Sequence, residues 1–160
     1  LEDAPKLYRM SREASLMRWL PSQVYRDLAE AEEVANDLAA QIQSPGDPRR
    51  GPWVLGVESK SDGELIGHVG LSPYDDEVEI GFAIEEARQG SGLATEAAAA
   101  VCTWALGSFG LDRILGLTER DNAASRRVLA HIGFELTKEV RMQFQGSEEE
   151  VAIYELASKR

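Results

Sequence analysis

The chain has 160 residues, 43% hydrophobic and 28% charged, with both classes spread along it, which is the composition of one folded domain with a real core. A formal net charge of −11 argues against a general nucleic-acid partner, because phosphate backbones need a cationic surface, and it suits a cationic substrate such as an amine. The single cysteine, Cys102, excludes a disulfide framework, and no apolar run approaches the roughly 20 residues of a membrane span, so a cytoplasmic chain without membrane contact is expected.

Residues 1–20 carry the least pattern, although Leu16, Met17, Trp19 and Leu20 form an apolar cluster before Pro21 that should pack onto the domain. Ser22 reads as a helix cap. Apolar residues at helical spacing (Val24, Leu28, Ala31, Val34 or Ala35, Leu38, Ile42) then predict a helix to about Gln43 with an acidic solvated face. Residues 44–52 are loop on proline and glycine content. A meander follows: strand 53–59, a hairpin turn at Asp62-Gly63, strand 65–71 and a turn at 73–76.

Strand 78–84 alternates cleanly. Val78, Ile80, Phe82 and Ile84 take one face, while Glu79, Gly81 and Ala83 take the other and leave open backbone beside one carboxylate. The helix after Gly92 carries Leu93, Ala97, Val101, Trp104 and Ala105 or Phe109 on one stripe and stops at Gly110. Its alanines at 97–100 permit close packing on a sheet. Strand 113–118 leads to a short helix from Asp121-Asn122 to Gly133, with Ala124, Val128, Leu129 and Ile132 inward. Strands 135–145 and 150–156 flank Gly146-Ser147. This order gives an α+β fold, a mixed sheet with helices on its faces, in a single domain without internal repeats.

Two helix starts carry chemistry. Gln89-Gly90-Ser91-Gly92-Leu93-Ala94 lets the backbone bend and presents unpaired N–H groups at a positive helix end, as a phosphate requires. A tight turn alone explains those glycines as well. The run is not a P-loop, since no Lys-Ser/Thr follows the last glycine, and its spacing is not that of a dinucleotide fingerprint. The second start is Asp121-Asn122-Ala123-Ala124-Ser125-Arg126-Arg127, where Asn122 suits a helix cap and Ser125 and Arg126 follow within a turn. Two helix N-termini, each after a strand, can flank one cofactor.

Together these motifs resemble a known family. Gln89-x-x-Gly92-x-Ala94 fits the Arg/Gln-x-x-Gly-x-Gly/Ala signature of the GNAT superfamily of acyl-CoA-dependent N-acetyltransferases. The text Leu65-Ile-Gly-His-Val-Gly-Leu71, Val78-Glu-Ile-Gly-Phe82 and Asp121-Asn-Ala-Ala-Ser125 with Ile132-Gly-Phe134 looks like the RimJ/RimL-like branch, which acetylates ribosomal-protein N-termini. The resemblance runs over residues 16–156. It implies the GNAT fold, with a mostly antiparallel central sheet, and acetyl-CoA as co-substrate without a metal. It also implies that pantetheine lies between two splayed strands along the edge of Phe82, Ala83 and Ile84. The pyrophosphate would rest on the amides of Gln89, Gly90, Ser91, Gly92, Leu93 and Ala94, with Thr95 in the same turn and Arg88 adding charge. Asn122 would reach the pantetheine amides and Arg126 a CoA phosphate.

The implied reaction is direct attack of an amine on the thioester in a ternary complex. A base must first remove a proton from the ammonium, and Glu79 is the candidate. A backbone N–H of the splayed strand can polarise the carbonyl. Many relatives place a tyrosine acid seven residues after the Asn, where this chain has Leu129, so Ser125 is the substitute and Tyr154 a weaker one. His68 is read as a strand residue and Cys102 as core. The acceptor stays open between a protein N-terminal amine and a small amine. Two rivals remain: a non-catalytic acyl-CoA-binding sensor or scaffold, and a structural interaction domain. Family members begin with a strand and a helix before the 17–21 stretch, for which sixteen residues remain here. Either the chain is cut, or that strand is absent or supplied by a partner subunit, as in a homodimer.

Overall fold

The computed structural model describes residues 2–43 and 46–159. Its strands are β1 (Trp53–Glu58), β2 (Leu65–Tyr74), β3 (Glu77–Ile84), β4 (Arg113–Glu119), β5 (Glu135–Phe144) and β6 (Ser147–Ala157). They form one sheet in the order β1-β2-β3-β4-β6-β5, in which β3 and β4 are parallel and the other neighbours antiparallel. The helices are α1 (Ala4–Ser11), α2 (Ala14–Trp19), α3 (Leu28–Gln43), α4 (Leu93–Ser108) and α5 (Ala123–Ile132). This is an α+β arrangement, a mostly antiparallel sheet with helices, as the resemblance implied.

The pairing of β3 with β4 is short. Only Glu79 with Leu115 and Ile80 with Gly116 are in register, after which β3 runs on to Ile84 and β4 to Glu119 unpaired with each other. Beyond Ile80 each keeps its outer neighbour, β3 with β2 as far as Gly67–Ile84 and β4 with β6 as far as Glu119–Val151. The sheet therefore splits along its middle while both halves stay hydrogen-bonded.

One face of the sheet carries the main core. Ala98, Val101, Cys102 and Ala105 of α4 pack with Val69, Leu71, Val78 and Ile80, each side chain contributing about 1.5–3 kcal/mol when it is a full aliphatic one. Small residues bring α4 close, as its alanines predicted. Trp104 falls off the predicted stripe: it is 39% exposed and stacks at the surface with Trp53 and Phe109. Leu129 of α5 lies directly over Gly116, where an added Cβ would stand 2.7 Å from Leu129 Cδ2. On the opposite face Met10 and Leu16 cover Ala83, so Gly81 alone of the expected open pair is uncovered.

Other expectations are corrected near the N-terminus. Ser22 does not cap a helix, because residues Pro21–Gln23 form a single 3-10 turn and α3 begins at Leu28. There the Asp27 carboxylate accepts the Glu30 N–H at 2.9 Å, and the Arg12 guanidinium donates to the Tyr25 and Arg26 carbonyls, tying the link to the end of α1. Of the apolar cluster, Leu16 is buried but Met17 is exposed. Among the described residues the first strand is Trp53–Glu58, and α1 and α2 precede it. The turn expected at 73–76 is tighter: β2 continues through Pro73, whose ring faces the side that β1 has already vacated at Leu71. β6 likewise begins at Ser147. Part of the 44–52 loop, Ser44 and Pro45, lies outside the described residues.

Two glycines of the β2–β3 ladder, Gly67 and Gly81, give a direct test of this packing. A Cβ at Gly67 would run into the Ala83 carbonyl oxygen, whereas one at Gly81 would meet nothing within 4 Å. Gly67→Ala should therefore lose about 1–3 kcal/mol in urea unfolding, while Gly81→Ala stays within roughly 0.5 kcal/mol of the parent. Equal losses would show that the strands do not approach as described.

Candidate active site

The turn between β3 and α4 is built from backbone. Gly90 and Gly92 sit at φ 80° and 81°, a region that side-chain-bearing residues avoid, and a Cβ on either would meet nothing within 4 Å. Gly92 is the N-cap of α4 and offers no side chain, so the first amides of the helix, at Leu93, Ala94 and Thr95, open outward at its positive end. The side chains around the turn brace it. Gln89 Nε2 donates to the Ile84 carbonyl at 2.8 Å and to Ser15 Oγ at 3.3 Å, and Ser91 Oγ donates to the Arg88 carbonyl at 2.9 Å. Arg88 is tied to Asp62 at 2.6 Å and to Glu85 at 3.6 Å, and the Asp62 carboxyl is held down at about 2, chiefly by Arg88.

From this turn a cavity of about 760 Å³ passes the gap between β3 and β4 and reaches the opposite face of the sheet. Gly81, Phe82, Ala83 and Ile84 form its β3 edge. The Glu85 N–H donates to the Ile66 carbonyl in β2, so alternation turns the N–H groups of Phe82 and Ile84 the other way, into the gap. An extended amide-bearing ligand would find donors there, much as an added strand does. Glu79 also lines the cavity, beside its registered neighbour Ser72. Burial pushes its carboxyl up to about 7, and it pairs with no cation among the described residues.

The second helix start joins the wall. Asn122 is buried, and its Oδ1 accepts the Ser125 N–H at 3.1 Å, so it is the helix cap and a cavity residue at once. Ser125 lies one turn on, against the same space. Arg126 does not: its Nε donates to Tyr154 Oη at 2.8 Å, its Nη1 to the Arg120 carbonyl at 2.9 Å, and it pairs with Glu139 at 3.3 Å. One residue along a helix is a rotation of about 100°, enough to swing it onto β5 and β6. That contact also holds Tyr154 away from the cavity. Arg127 and His131 line the wall instead. Leu129 is core, and burial lowers the His68 pKa and pushes the Cys102 thiol up to about 12.

Sequence reasoning missed the far half of the cavity. Trp19 and Leu20 come from α2 and its end, Gln23 from the turn that follows, and Phe144 and Gln145 from the β5–β6 hairpin tip. Ser22 Oγ donates to Gln145 Oε1 at 2.5 Å, joining these two remote pieces across the mouth. Gln145 sits at φ 51°, an uncommon conformation for a residue with a side chain. The apolar cluster at 16–20 was a visible signal, but nothing in its spacing said which surface it would face.

Comparison with known proteins identifies the family and the fold. Residues 1–135 match the model of the Acetyltransferase (GNAT) domain. The uncharacterized N-acetyltransferase YjdG of Bacillus subtilis is 33% identical over 85 residues, 51% of this chain and 49% of that protein, so the chain's match spans about half of that relative. The uncharacterized N-acetyltransferase YoaA of the same organism is 26% identical over 164 aligned residues, covering 99% of this chain and 90% of its own. Mycobacterium smegmatis RimJ, solved with CoA-disulfide, superposes with a TM-score of 0.79 at 20% identity, over 98% of this chain and 78% of that one. The structure of RimL, a ribosomal L7/L12 alpha-N-protein acetyltransferase in complex with coenzyme A, superposes with a TM-score of 0.80 at 19% identity, over 98% and 89%. At those identities the structures show a shared fold, while the domain match covers most of the chain. The chain belongs to the GNAT acetyltransferase family, whose enzymes depend on acetyl-CoA.

Proposed function

We propose that the protein transfers the acetyl group of acetyl-CoA to a primary amine by direct attack in a ternary complex, with Glu79 as general base. The observation that carries this reading is the unpaired, half-buried Glu79 carboxyl on the wall of a cavity that begins at a phosphate-type turn. The residues present fit coenzyme A. The uncapped α4 amides and the open space over Gly90 and Gly92 suit a pyrophosphate, and the unpaired N–H groups of Phe82 and Ile84 suit the amides of pantetheine. When bound, acetyl-CoA supplies an acetyl group already activated as a thioester.

The chain's own groups do the rest. An ammonium has no lone pair, so Glu79 must take its proton, directly or through water, and a pKa of about 7 suits that exchange at neutral pH. A β3 amide facing the gap stands where an oxyanion would develop. Ser125, at the end of the same space, is the hydroxyl placed to meet the departing sulfur, and Asn122 fixes the helix turn that carries it. Arg127 takes the role first assigned to Arg126, a cation toward a CoA phosphate. The acceptor is either a protein N-terminal amine, as in the RimL relative's description, or a small amine.

Calorimetric titration with acetyl-CoA, followed by CoA release with N-terminal peptides beside small amines, tests the reading. Turnover on either panel supports it, and absence of acetyl-CoA binding overturns it. Gly92→Glu puts bulk and negative charge where the phosphate would sit and strains a left-handed cap, so CoA affinity should fall at least about 100-fold. Unchanged affinity would remove the turn as the site.

The base has its own signature. Wild-type kcat/KM should rise with pH through about 7 as Glu79 ionises, and Glu79→Gln should lower the rate on the order of 100-fold or more with CoA affinity preserved. Because the folded pKa lies above the ordinary 4.5, the stability of the protonated form is complete below about 4.5 and is lost as pH rises through about 7. Glu79→Gln should therefore gain in melting temperature over wild type between about pH 5 and pH 8. A constant difference would show that the carboxyl is not desolvated.

A further inference from the structure

The two ends of the cavity differ in charge. At the turn end Arg88, Arg127 and His131 stand on the wall. Around Glu79 on the opposite face the wall is Trp19, Leu20, Gln23, Ser72, Phe144 and Gln145, and among the described residues lining that half there is no Lys, Arg or His. The α2 helix does carry an arginine, but it is engaged with Glu119, which also lines the cavity. Arg18 Nη1 and Nη2 donate to the two carboxylate oxygens of Glu119 at 3.1 and 2.8 Å, and its guanidinium lies 4.0 Å from the centroid of the Trp19 ring. This holds the indole in place and denies the guanidinium to a ligand carboxylate.

The opposite wall is held too. Tyr74 Oη donates to Met142 Sδ at 3.9 Å and Ser22 Oγ to Gln145 Oε1 at 2.5 Å, so the β5–β6 hairpin is pinned at both points and presents Phe144 to the cavity. The acceptor half is thus a pocket with aromatic and neutral polar walls around the unpaired Glu79, its second carboxylate, Glu119, being closed by Arg18.

We infer that the acceptor is a primary amine without a carboxylate on the carbon that bears the nitrogen, and with an apolar or aromatic group to lie against Trp19 and Phe144. This rests on the transferase reading above and narrows it. A free amino acid delivering its nitrogen to Glu79 would bring its carboxylate into the same desolvated space, one carbon away, with no cation to receive it. Repulsion by Glu79 adds to that loss, so the pocket excludes the wrong acceptor as much as it binds the right one. An amide or a plain hydrocarbon at the same position meets no such barrier. The chemistry is shared by the first residue of a polypeptide and by an arylalkyl amine.

CoA release should be measured with phenylalanine, phenylalaninamide, 2-phenylethylamine, glycinamide and an amidated peptide beginning with Phe. The carboxylate-free aromatic acceptors should exceed phenylalanine in kcat/KM by about 100-fold or more, and phenylalaninamide should exceed glycinamide by about 10-fold. Trp19→Ala and Phe144→Ala should raise the KM for phenylalaninamide by more than they lower kcat. Preference for the peptide assigns the pocket to chain ends, and preference for the amine assigns it to small acceptors. Phenylalanine turned over as well as its amide overturns this inference and leaves the transferase standing, and glycinamide matching phenylalaninamide overturns its apolar part. Acetyl-CoA binding with no acceptor turned over, with or without a carboxylate, overturns both.

Discussion

Everything in this molecule depends on β3 and β4 ceasing to pair after Ile80 and Gly116. A parallel pair in the middle of a sheet would ordinarily continue, because each unpaired buried backbone group costs about 1–3 kcal/mol. Here each strand keeps its outer partner, so the split leaves only the inner N–H and C=O groups of one short segment on each side. One of them, the Ile84 carbonyl, is met by the Gln89 side chain. The remaining β3 donors face the cavity, where water or a ligand can satisfy them. The split is thus both a local weakness and the reason a hole exists through the sheet.

The position of Glu79 follows from the same split. It stands one rung before the pairing ends, close enough to the core to lose hydration and on the wall of the cavity that the split opens. Its carboxyl is raised by burial and by no charge partner. The second carboxylate on this side of the sheet, Glu119, has the opposite arrangement: it is buried but closed by both nitrogens of Arg18. Two glutamates near one gap are thereby given different surroundings, one desolvated and without a charge partner among the described residues, the other held in an ion pair.

Much of the β3–α4 turn was legible in the sequence because it is written in backbone constraints. A turn with φ 80° and 81° at two points calls for glycine, a β-strand shows itself by alternation, and an Asn before a short apolar helix marks a cap. The failures share a cause as well. Arg126 and Arg127 are indistinguishable as letters, and only the helix rotation relative to β5 and β6 decides which one meets Tyr154 and which one the cavity. Ser22 looks like a cap by composition, yet its hydroxyl is drawn to Gln145, 123 positions away, by a contact that no local pattern encodes. Ala83 was expected to lie open, and the unpatterned N-terminus folded back as helices to cover it.

That asymmetry has a functional meaning. One half of the cavity is built from main-chain amides and glycine conformations, which tolerate little substitution because the backbone geometry itself shapes the wall. The other half is assembled from side chains that meet only in the tertiary fold: α2 and the turn after it, and the tip of a hairpin at the far end of the chain. Changing Trp19, Gln23 or Phe144 alters walls and charge without disturbing the split between β3 and β4, whose register is set by β2, β6 and Leu129 over Gly116. On the proposed reading the donor would be recognised by the part built from backbone, and the acceptor by the part built from side chains. In this chain that half has aromatic and neutral polar walls around Glu79 and no free cation among its described residues, so on the proposed reading its discrimination rests on what it declines to solvate.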